Sequence, residues 1–457
     1  MKHTLPPRDA AEIAVLGLGK SGASAAALLR SRGYAAYASD GGDSEALHER
    51  ALALESAGVS VQLGGHDLAR IAAASLVVAS PGIPPTAPPV AAAASAGIEV
   101  ISEIELALRA APDLRYVAIT GTNGKTTTTA LIGHILRALG AIAPDAGNIG
   151  TPLSEVLLAS ELPDWIALEL SSFQLHDSPS VAPTIGVLTN LSADHLDRYA
   201  SVDEYFADKA LLFRNATPES RWILNADDAR SLDMARGVAG EHLHFSTRTR
   251  ADAWYDRGAD VLRVMDEEIL PRTDLALLGD HNVANALAAT LAVMSAAPEY
   301  RTDDVRSQIA AALRSFHAMP HRLELVGEWD GVQWINDSKA TNVDSTSVAV
   351  AGMTRPTILL LGGRHKGEPY TRLADSARRH VKHILAYGEA GETVQHDLAD
   401  VVPLELLATS FDQVIERARA LAQPGDAILL SPACSSYDMF NNYIERGERF
   451  RVLASGQ

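Results

Sequence analysis

The residues with the clearest chemical purpose lie between 119 and 127: Ile119-Thr120-Gly121-Thr122-Asn123-Gly124-Lys125-Thr126-Thr127. Such a run, following an apolar strand and opening a helix, offers backbone amides and a helix N-terminus to a polyphosphate. Lys125 is then the cation for the β and γ phosphates of ATP, and Thr126 or Thr127 offers a hydroxyl to Mg2+. The run departs from the common G-x-x-x-x-G-K-[ST] spacing, because Ile119 stands where the first glycine is expected. Magnesium also needs hard oxygen ligands, and Glu169, in Leu168-Glu169-Leu170-Ser171-Ser172-Phe173-Gln174, ends a predicted strand. An isolated strand-end glutamate is otherwise simply solvated. A third stretch, Asn190-Leu191-Ser192-Ala193-Asp194-His195-Leu196-Asp197-Arg198-Tyr199, gathers carboxylates and an imidazole after another strand, and Lys209 follows fourteen residues beyond His195.

Near the start, Gly17-Leu18-Gly19-Lys20-Ser21-Gly22 with Asp40 admits two readings. One is a nicotinamide-dinucleotide fingerprint, with the acid on a ribose hydroxyl; the other is a tight turn needed only for packing. Lysine usage adds a signal. The chain holds 32 arginines and seven lysines, and Lys125, Lys209, Lys339 and Lys366 all fall within polar, glycine-rich or acidic motifs, where a compact or reactive amine has a use that arginine does not.

The elements that must position these groups alternate between strand and helix. Predicted strands Ile13–Leu16, Tyr34–Ser39 and Ser75–Ala79, the last running into Ser80-Pro81-Gly82, build a first parallel unit. A second begins near Glu105, with helix Ile104–Ala110 and strands Tyr116–Ile119, Trp165–Leu168 and Ile185–Thr189. Its later part, Phe245–Leu278, reads as short-stranded, and Asn282–Ala297 as an amphipathic helix. From His321 a third unit repeats the pattern, with strands Gly331–Ile335, Thr357–Leu361, His383–Tyr387 and Ala427–Leu430. At 457 residues, several domains are expected.

Composition limits the partners. Apolar residues make up 47% and charged residues 21%, as in a globular enzyme. A formal net charge of −18 argues against a nucleic-acid or anionic-membrane footprint, so an anionic ligand must be met by local cations. The single cysteine, Cys434, excludes an intramolecular disulfide and reads as a small buried residue. No stretch reads as a signal peptide or membrane span, and a cytoplasmic protein is expected.

Taken together, Gly121-Thr-Asn-Gly-Lys-Thr126, Gly147-Asn148-Ile149-Gly150, Glu169-Leu-Ser-Ser-Phe-Gln174, Asp194-His195-Leu-Asp-Arg-Tyr199, His281-Asn282-Val-Ala-Asn285, His321-Arg322 and Asp337-Ser-Lys-Ala-Thr-Asn342 resemble the motifs of the Mur ligases. The resemblance runs in order over essentially the whole chain. It implies an α/β protein of three domains: a Rossmann-like domain at 1–104 for the UDP end of a substrate, a P-loop ATPase-like domain with a mostly parallel sheet at 105–318, and a Rossmann-like glutamate-binding domain at 319–457. The implied reaction is ATP-dependent ligation of D-glutamate to UDP-N-acetylmuramoyl-L-alanine through an acyl phosphate, a cytoplasmic step of peptidoglycan precursor synthesis, carried out by a monomer.

By the same resemblance, Gly121, Thr122, Asn123, Gly124, Lys125, Thr126 and Thr127 hold the phosphates of ATP, and Asn282, Asn285, Arg322 and Asp337 hold the rest of the nucleotide. Thr126 and Glu169 serve one Mg2+; His195 serves a second, together with Lys209 as a CO2-derived carbamate. Lys125, His195 and Lys209 are the implied catalytic residues. Gly17, Gly19, Lys20, Ser21, Asp40, Ser80 and Gly82, with Asn148, are implied for the UDP substrate, although Gly41-Gly42 after Asp40 departs from the family pattern. Lys339, Thr341, Lys366, Ser436 and Tyr443 are implied for glutamate. A sister ligase adding another amino acid, a folylpolyglutamate-type ligase and a nicotinamide oxidoreductase are the alternatives.

Overall fold

A computed structural model describes residues 4–456, apart from 85, 193–198, 200 and 409. Strands β1 (Ile13–Leu16), β2 (Ala36–Ser39), β3 (Ser60–Gln62), β4 (Leu76–Ala79) and β5 (Val100–Ser102) form a parallel sheet of order β3-β2-β1-β4-β5. The runs of β1, β2 and β4 are buried on both faces because helices cover both sides. The order reverses between β1 and β4, and such a reversal opens a crevice at the carboxyl ends of the strands. The loop 17–19 follows β1 and Ser80-Pro81-Gly82 follows β4, so both border that crevice.

The central sheet holds β6 (Tyr116–Thr120), β7 (Asp145–Gly147), β8 (Ile166–Glu169), β9 (Ile185–Leu188), β10 (Arg221–Asn225), β11 (Glu241–Ser246), β12 (Ala253–Asp256), β13 (Val261–Val264) and β14 (Glu267–Pro271). The order is β14-β13-β12-β11-β10-β9-β6-β8-β7, parallel as far as β12 and antiparallel through β13 and β14. Strand β6 lies between β8 and β9. The phosphate loop, Glu169 and the Thr189-Asn190 turn therefore emerge side by side. The helix Asp280–Ala296, read from sequence as amphipathic, is buried along nearly its whole length between the sheet and helix Lys125–Ala138. Its many alanines allow that close packing from every side.

The last sheet joins β15 (Glu324–Trp329), β16 (Val332–Asn336), β17 (Thr357–Gly362), β18 (Val381–Tyr387), β19 (Leu404–Leu407) and β20 (Ala427–Leu430) in the order β15-β16-β20-β17-β18-β19. It is parallel except for the β15–β16 hairpin, whose turn residues Asp330 and Gly331 both take positive φ, as a tight two-residue loop requires. The expected three α/β units are thus present. No helix of the described residues is long and apolar enough to cross a membrane.

Helix Glu103–Ala110 joins the first unit to the second: Leu106 packs into the first core, while Ile104, Ala107 and Leu108 pack into the central one. Glu105, fully buried, accepts hydrogen bonds from Arg109 Nε at 2.7 Å, Ser180 N at 2.8 Å and Ser180 Oγ at 2.7 Å. Without Glu105, Ser180 N and Ser180 Oγ lose their acceptor, while Arg109 keeps its two bonds to Glu99. Glu105→Ala is therefore expected to destabilise the junction by about 2 kcal/mol, read as a fall in the first thermal unfolding transition; an unchanged transition would contradict this role.

Candidate active site

The phosphate loop is held open by two glycines that no other residue could replace without movement. Gly121 has φ +144° and Gly124 φ +82°; a Cβ on the first would run into Thr189 Oγ1 and on the second into Asn285 Oδ1. The loop is fixed from the neighbouring strand: Asn190 Oδ1 accepts from Asn123 N at 2.9 Å, its amide donates to Asn123 O at 2.9 Å, and Thr122 N donates to Asn190 O at 2.8 Å. Lys125 Nζ folds over the loop and donates to Gly121 O at 2.9 Å and Thr122 O at 2.7 Å.

Lys209, only 1% exposed, donates to the same Gly121 oxygen at 2.7 Å, with its ammonium 4.6 Å from the Tyr205 ring centroid. The side chains of Lys125 and Lys209 thus meet at one carbonyl of the phosphate loop. Glu169, also 1% exposed, accepts from Asn148 Nδ2 at 2.7 Å on Oε1, while Oε2 is buried without a hydrogen-bond partner. An orphaned, buried carboxylate oxygen beside a phosphate loop fits a divalent cation. Asn148, expected to help bind the UDP substrate, spends its side-chain amide on Glu169. His195 lies outside the described residues.

The C-terminal unit forms the facing wall. Arg322 Nη2 donates to Thr126 Oγ1 at 2.8 Å, and Ser345 Oγ donates to Asn123 Oδ1 at 3.0 Å, so the wall touches the loop directly. Asn285 donates to Asn282 Oδ1 at 3.0 Å and accepts from Thr128 Oγ1 at 3.2 Å. Asp337 accepts from Ser431 Oγ and Leu323 N; burial raises its carboxyl to about 7. Burial, reinforced by Arg322, lowers Lys339 to about 8, and burial holds His281 down at about 4, hence neutral. Asn123, Gly124, Asn285, Arg322, Asp337 and Lys339 line a cavity of about 90 Å³ between the two walls, and Asn123, Gly124, His281, Asn285 and Ser347 border an adjoining cleft of about 510 Å³.

The expected glutamate residues fall partly together. Lys339 Nζ stands 4.0 Å from the Tyr443 ring centroid, and Lys366 Nζ donates to Thr341 Oγ1 at 3.3 Å. Ser436, buried, turns its carbonyl to Met439 N and Phe440 N. Arg446 escaped the sequence reading: buried, it donates to Ser338 Oγ, Ser338 O and Cys434 O and so ties the two motifs together. Its only sequence signal was its position on the apolar face of helix Tyr443–Ala454, three residues after Tyr443 and four before Phe450. Cys434 is fully buried, with its thiol raised by burial to about 11.

In the first unit, Gly17 (φ +82°) lies against Ser80, and a Cβ on Gly22 would strike Gly17 O. Gly19 and Gly82 have open space where a side chain would stand. Asp40 accepts from Leu18 N at 2.7 Å on one oxygen and from Gly42 N at 2.8 Å on the other. Lys20 is exposed and lies 3.6 Å from Glu155 of the central unit; Ser21 stands in the first turn of the same helix.

Three family models cover the chain: Mur ligase MurD-like, N-terminal domain at 11–102, Mur ligase middle domain at 119–293, and Mur ligase, glutamate ligase domain at 321–434. The UDP-N-acetylmuramoylalanine--D-glutamate ligases of Anaeromyxobacter dehalogenans (41% identical, 99% of both chains covered) and Salinibacter ruber (41% identical, 96% of both) match along nearly their whole length. The chain belongs to the Mur ligase family. Solved structures with the same fold include a pseudomurein peptide ligase type C from Methanothermus fervidus (TM-score 0.62, 20% identity, covering 96% of this chain and 99% of that one). Another is UDP-N-acetylmuramate-alanine ligase MurC from Thermotoga maritima (TM-score 0.60, 18% identity, covering 98% and 100%).

Two predictions concern the site of this Mur ligase. Gly124→Ala introduces strain at positive φ and a collision with Asn285, and is expected to weaken binding of a non-hydrolysable ATP analogue about tenfold or more, measured by calorimetry, with overall folding retained. Asp337, raised to about 7, keeps its proton in the folded state between the unfolded value of 3.8 and 7 while the unfolded chain loses it. Its contribution to stability is therefore fully present below the unfolded value and is lost as pH rises through about 7, at up to roughly 1.4 kcal/mol per pH unit. Denaturant midpoints of nucleotide-free Asp337→Asn should lack that part of the pH dependence; identical profiles would contradict it.

Proposed function

We propose that the cleft between the central and C-terminal units carries out the ATP-dependent ligation of D-glutamate to UDP-N-acetylmuramoyl-L-alanine, a cytoplasmic step of peptidoglycan precursor synthesis. The enzyme is a carbon–nitrogen ligase forming a peptide bond. The observation that carries the reading is the facing pair of walls: a phosphate loop with Lys125 and Lys209 on one side, Arg322, Asp337 and Lys339 on the other. Division of the chain after 104 and after 318 into UDP-substrate, ATP and glutamate domains goes with it. Each part owns one sheet, although the first boundary falls within helix Glu103–Ala110.

The loop amides and Lys125 hold the β and γ phosphates, while Asn282, Asn285 and Asp337 hold the nucleoside. A carboxylate oxygen of the alanyl end attacks the γ phosphorus, ADP leaves, and the resulting acyl phosphate is attacked by the glutamate amine, which loses a proton as phosphate departs. Arg322 spans the cleft where charge accumulates, and such fixed cations stabilise a transferring phosphoryl group best in a water-poor site. Magnesium, when bound, supplies further charge neutralisation at two positions. Thr126 and Glu169 would hold one ion, and His195 with carbamylated Lys209 the other. Carbamylation would convert the buried Lys209 amine into a carboxylate-like anion able to hold a cation, which an arginine could not become. Lys339, Thr341, Lys366, Ser436 and Tyr443 receive the glutamate. Gly17, Gly19, Lys20, Ser21, Asp40, Ser80 and Gly82 line the uridine diphosphate end, where Gly19 and Gly82 leave room for phosphates.

The direct test measures phosphate release and product mass with UDP-N-acetylmuramoyl-L-alanine, ATP and Mg2+ in the presence of D-glutamate, L-glutamate or lysine. Release and the expected product with D-glutamate alone support the assignment; preference for lysine overturns the reading of the glutamate residues. For Lys209, turnover should fall in CO2-depleted buffer and return with bicarbonate, and Lys209→Ala should lose about a hundredfold or more without recovery. Turnover indifferent to CO2 would contradict the carbamate.

A further inference from the structure

The crevice of the first unit contains a polar group that the proposed function leaves unused. Gly17, Asp40, Gly41, His66, Ile83 and Pro88 border a cavity of about 390 Å³, whose remaining walls are largely apolar. Flat apolar walls suit the faces of a heterocycle; selection among heterocycles needs a polar group at its edge. Asp40 accepts from Leu18 N on one oxygen and from Gly42 N on the other, which fixes its carboxylate; being an acceptor only, it cannot pair with a carbonyl at the edge of a base. It shapes the glycine loop.

His66 remains. Its Nδ1 lies 2.8 Å from Ser39 Oγ, and Ser39 is fully buried at the end of β2. A Cβ built on Gly41 would lie 3.6 Å from Nε2, which places that nitrogen at the Gly41 side of the cavity. The Ser39 hydroxyl has no other side-chain hydrogen bond among the described residues, so its proton is best satisfied by donation to Nδ1. That choice leaves Nε2 as an N–H donor facing the cavity.

We propose that His66, held in this tautomer by Ser39, is the residue that selects uracil over cytosine in the nucleoside diphosphate end of the substrate. The inference rests on the reading of this crevice as the uridine diphosphate site. An N–H donor complements the 4-carbonyl of uracil and opposes the 4-amino group of cytosine. Discrimination of this kind depends on one hydrogen bond made in one base and lost, with a stranded donor, in the other.

The test is calorimetric binding of UDP and CDP to the full-length protein and to two variants. The unmodified protein should bind UDP at least about tenfold more tightly than CDP. His66→Phe, which keeps a flat ring but removes the donor, should weaken UDP and bring the two affinities together. Ser39→Ala leaves the ring in place and frees its tautomer, so the ratio should fall mainly because CDP binds better. Binding of ATP, remote from this crevice, should not change in either variant. A UDP/CDP ratio unchanged in both variants overturns the role of His66 while leaving the crevice as the uridine diphosphate site. Failure of UDP to bind the unmodified protein overturns the site reading and the inference with it.

Discussion

The convergence of Lys125 and Lys209 on the carbonyl of Gly121 is the interaction around which the rest of the active site is arranged. Both lysines bring positive charge to the phosphate loop of a protein whose net charge is −18. The neighbouring features follow from that constraint. Gly121 and Gly124 allow the chain to bend tightly enough to present its amides, and Thr189 and Asn285 fill the space their missing side chains leave. Arg322 reaches across from the C-terminal unit to Thr126, so that two units together supply the cations around the loop.

Each of the first two sheets presents its loops at a place where the strand order reverses, beside β1 in the first and beside β6 in the second. On the proposed function, the nucleotide end of a long substrate would lie at one reversal and its reacting end at the other. The connection between them is mechanical as well as covalent, because Glu105 anchors helix Glu103–Ala110 to Ser180 of the central unit while Lys20 faces Glu155.

Much of this was legible from residues alone. The strands Ile13–Leu16 and Ala427–Leu430 have the bounds their apolar runs predict, since strands buried on both faces carry an uninterrupted signal. Strands β3, β5 and β7 were not anticipated; each is three residues long, and so short a run has no periodicity to read. The helix Asp280–Ala296 misled for a related reason, because alanine is compatible with burial and exposure alike. In the site, glycine-rich and acidic motifs announced themselves by composition. Arg446 and His66 did not, as their roles depend on partners distant in sequence: Ser338 and Cys434 for one, Ser39 for the other.

The central claim is that this cleft activates a carboxylate by transferring a phosphoryl group to it before the amine attacks. The most direct measurement uses UDP-N-acetylmuramoyl-L-alanine labelled with 18O in its terminal carboxylate and follows the label through one turnover with ATP and D-glutamate. The account predicts that one labelled oxygen appears in the released phosphate. Phosphate free of label, with product formed, would show that the carboxylate is never phosphorylated and would contradict the mechanism.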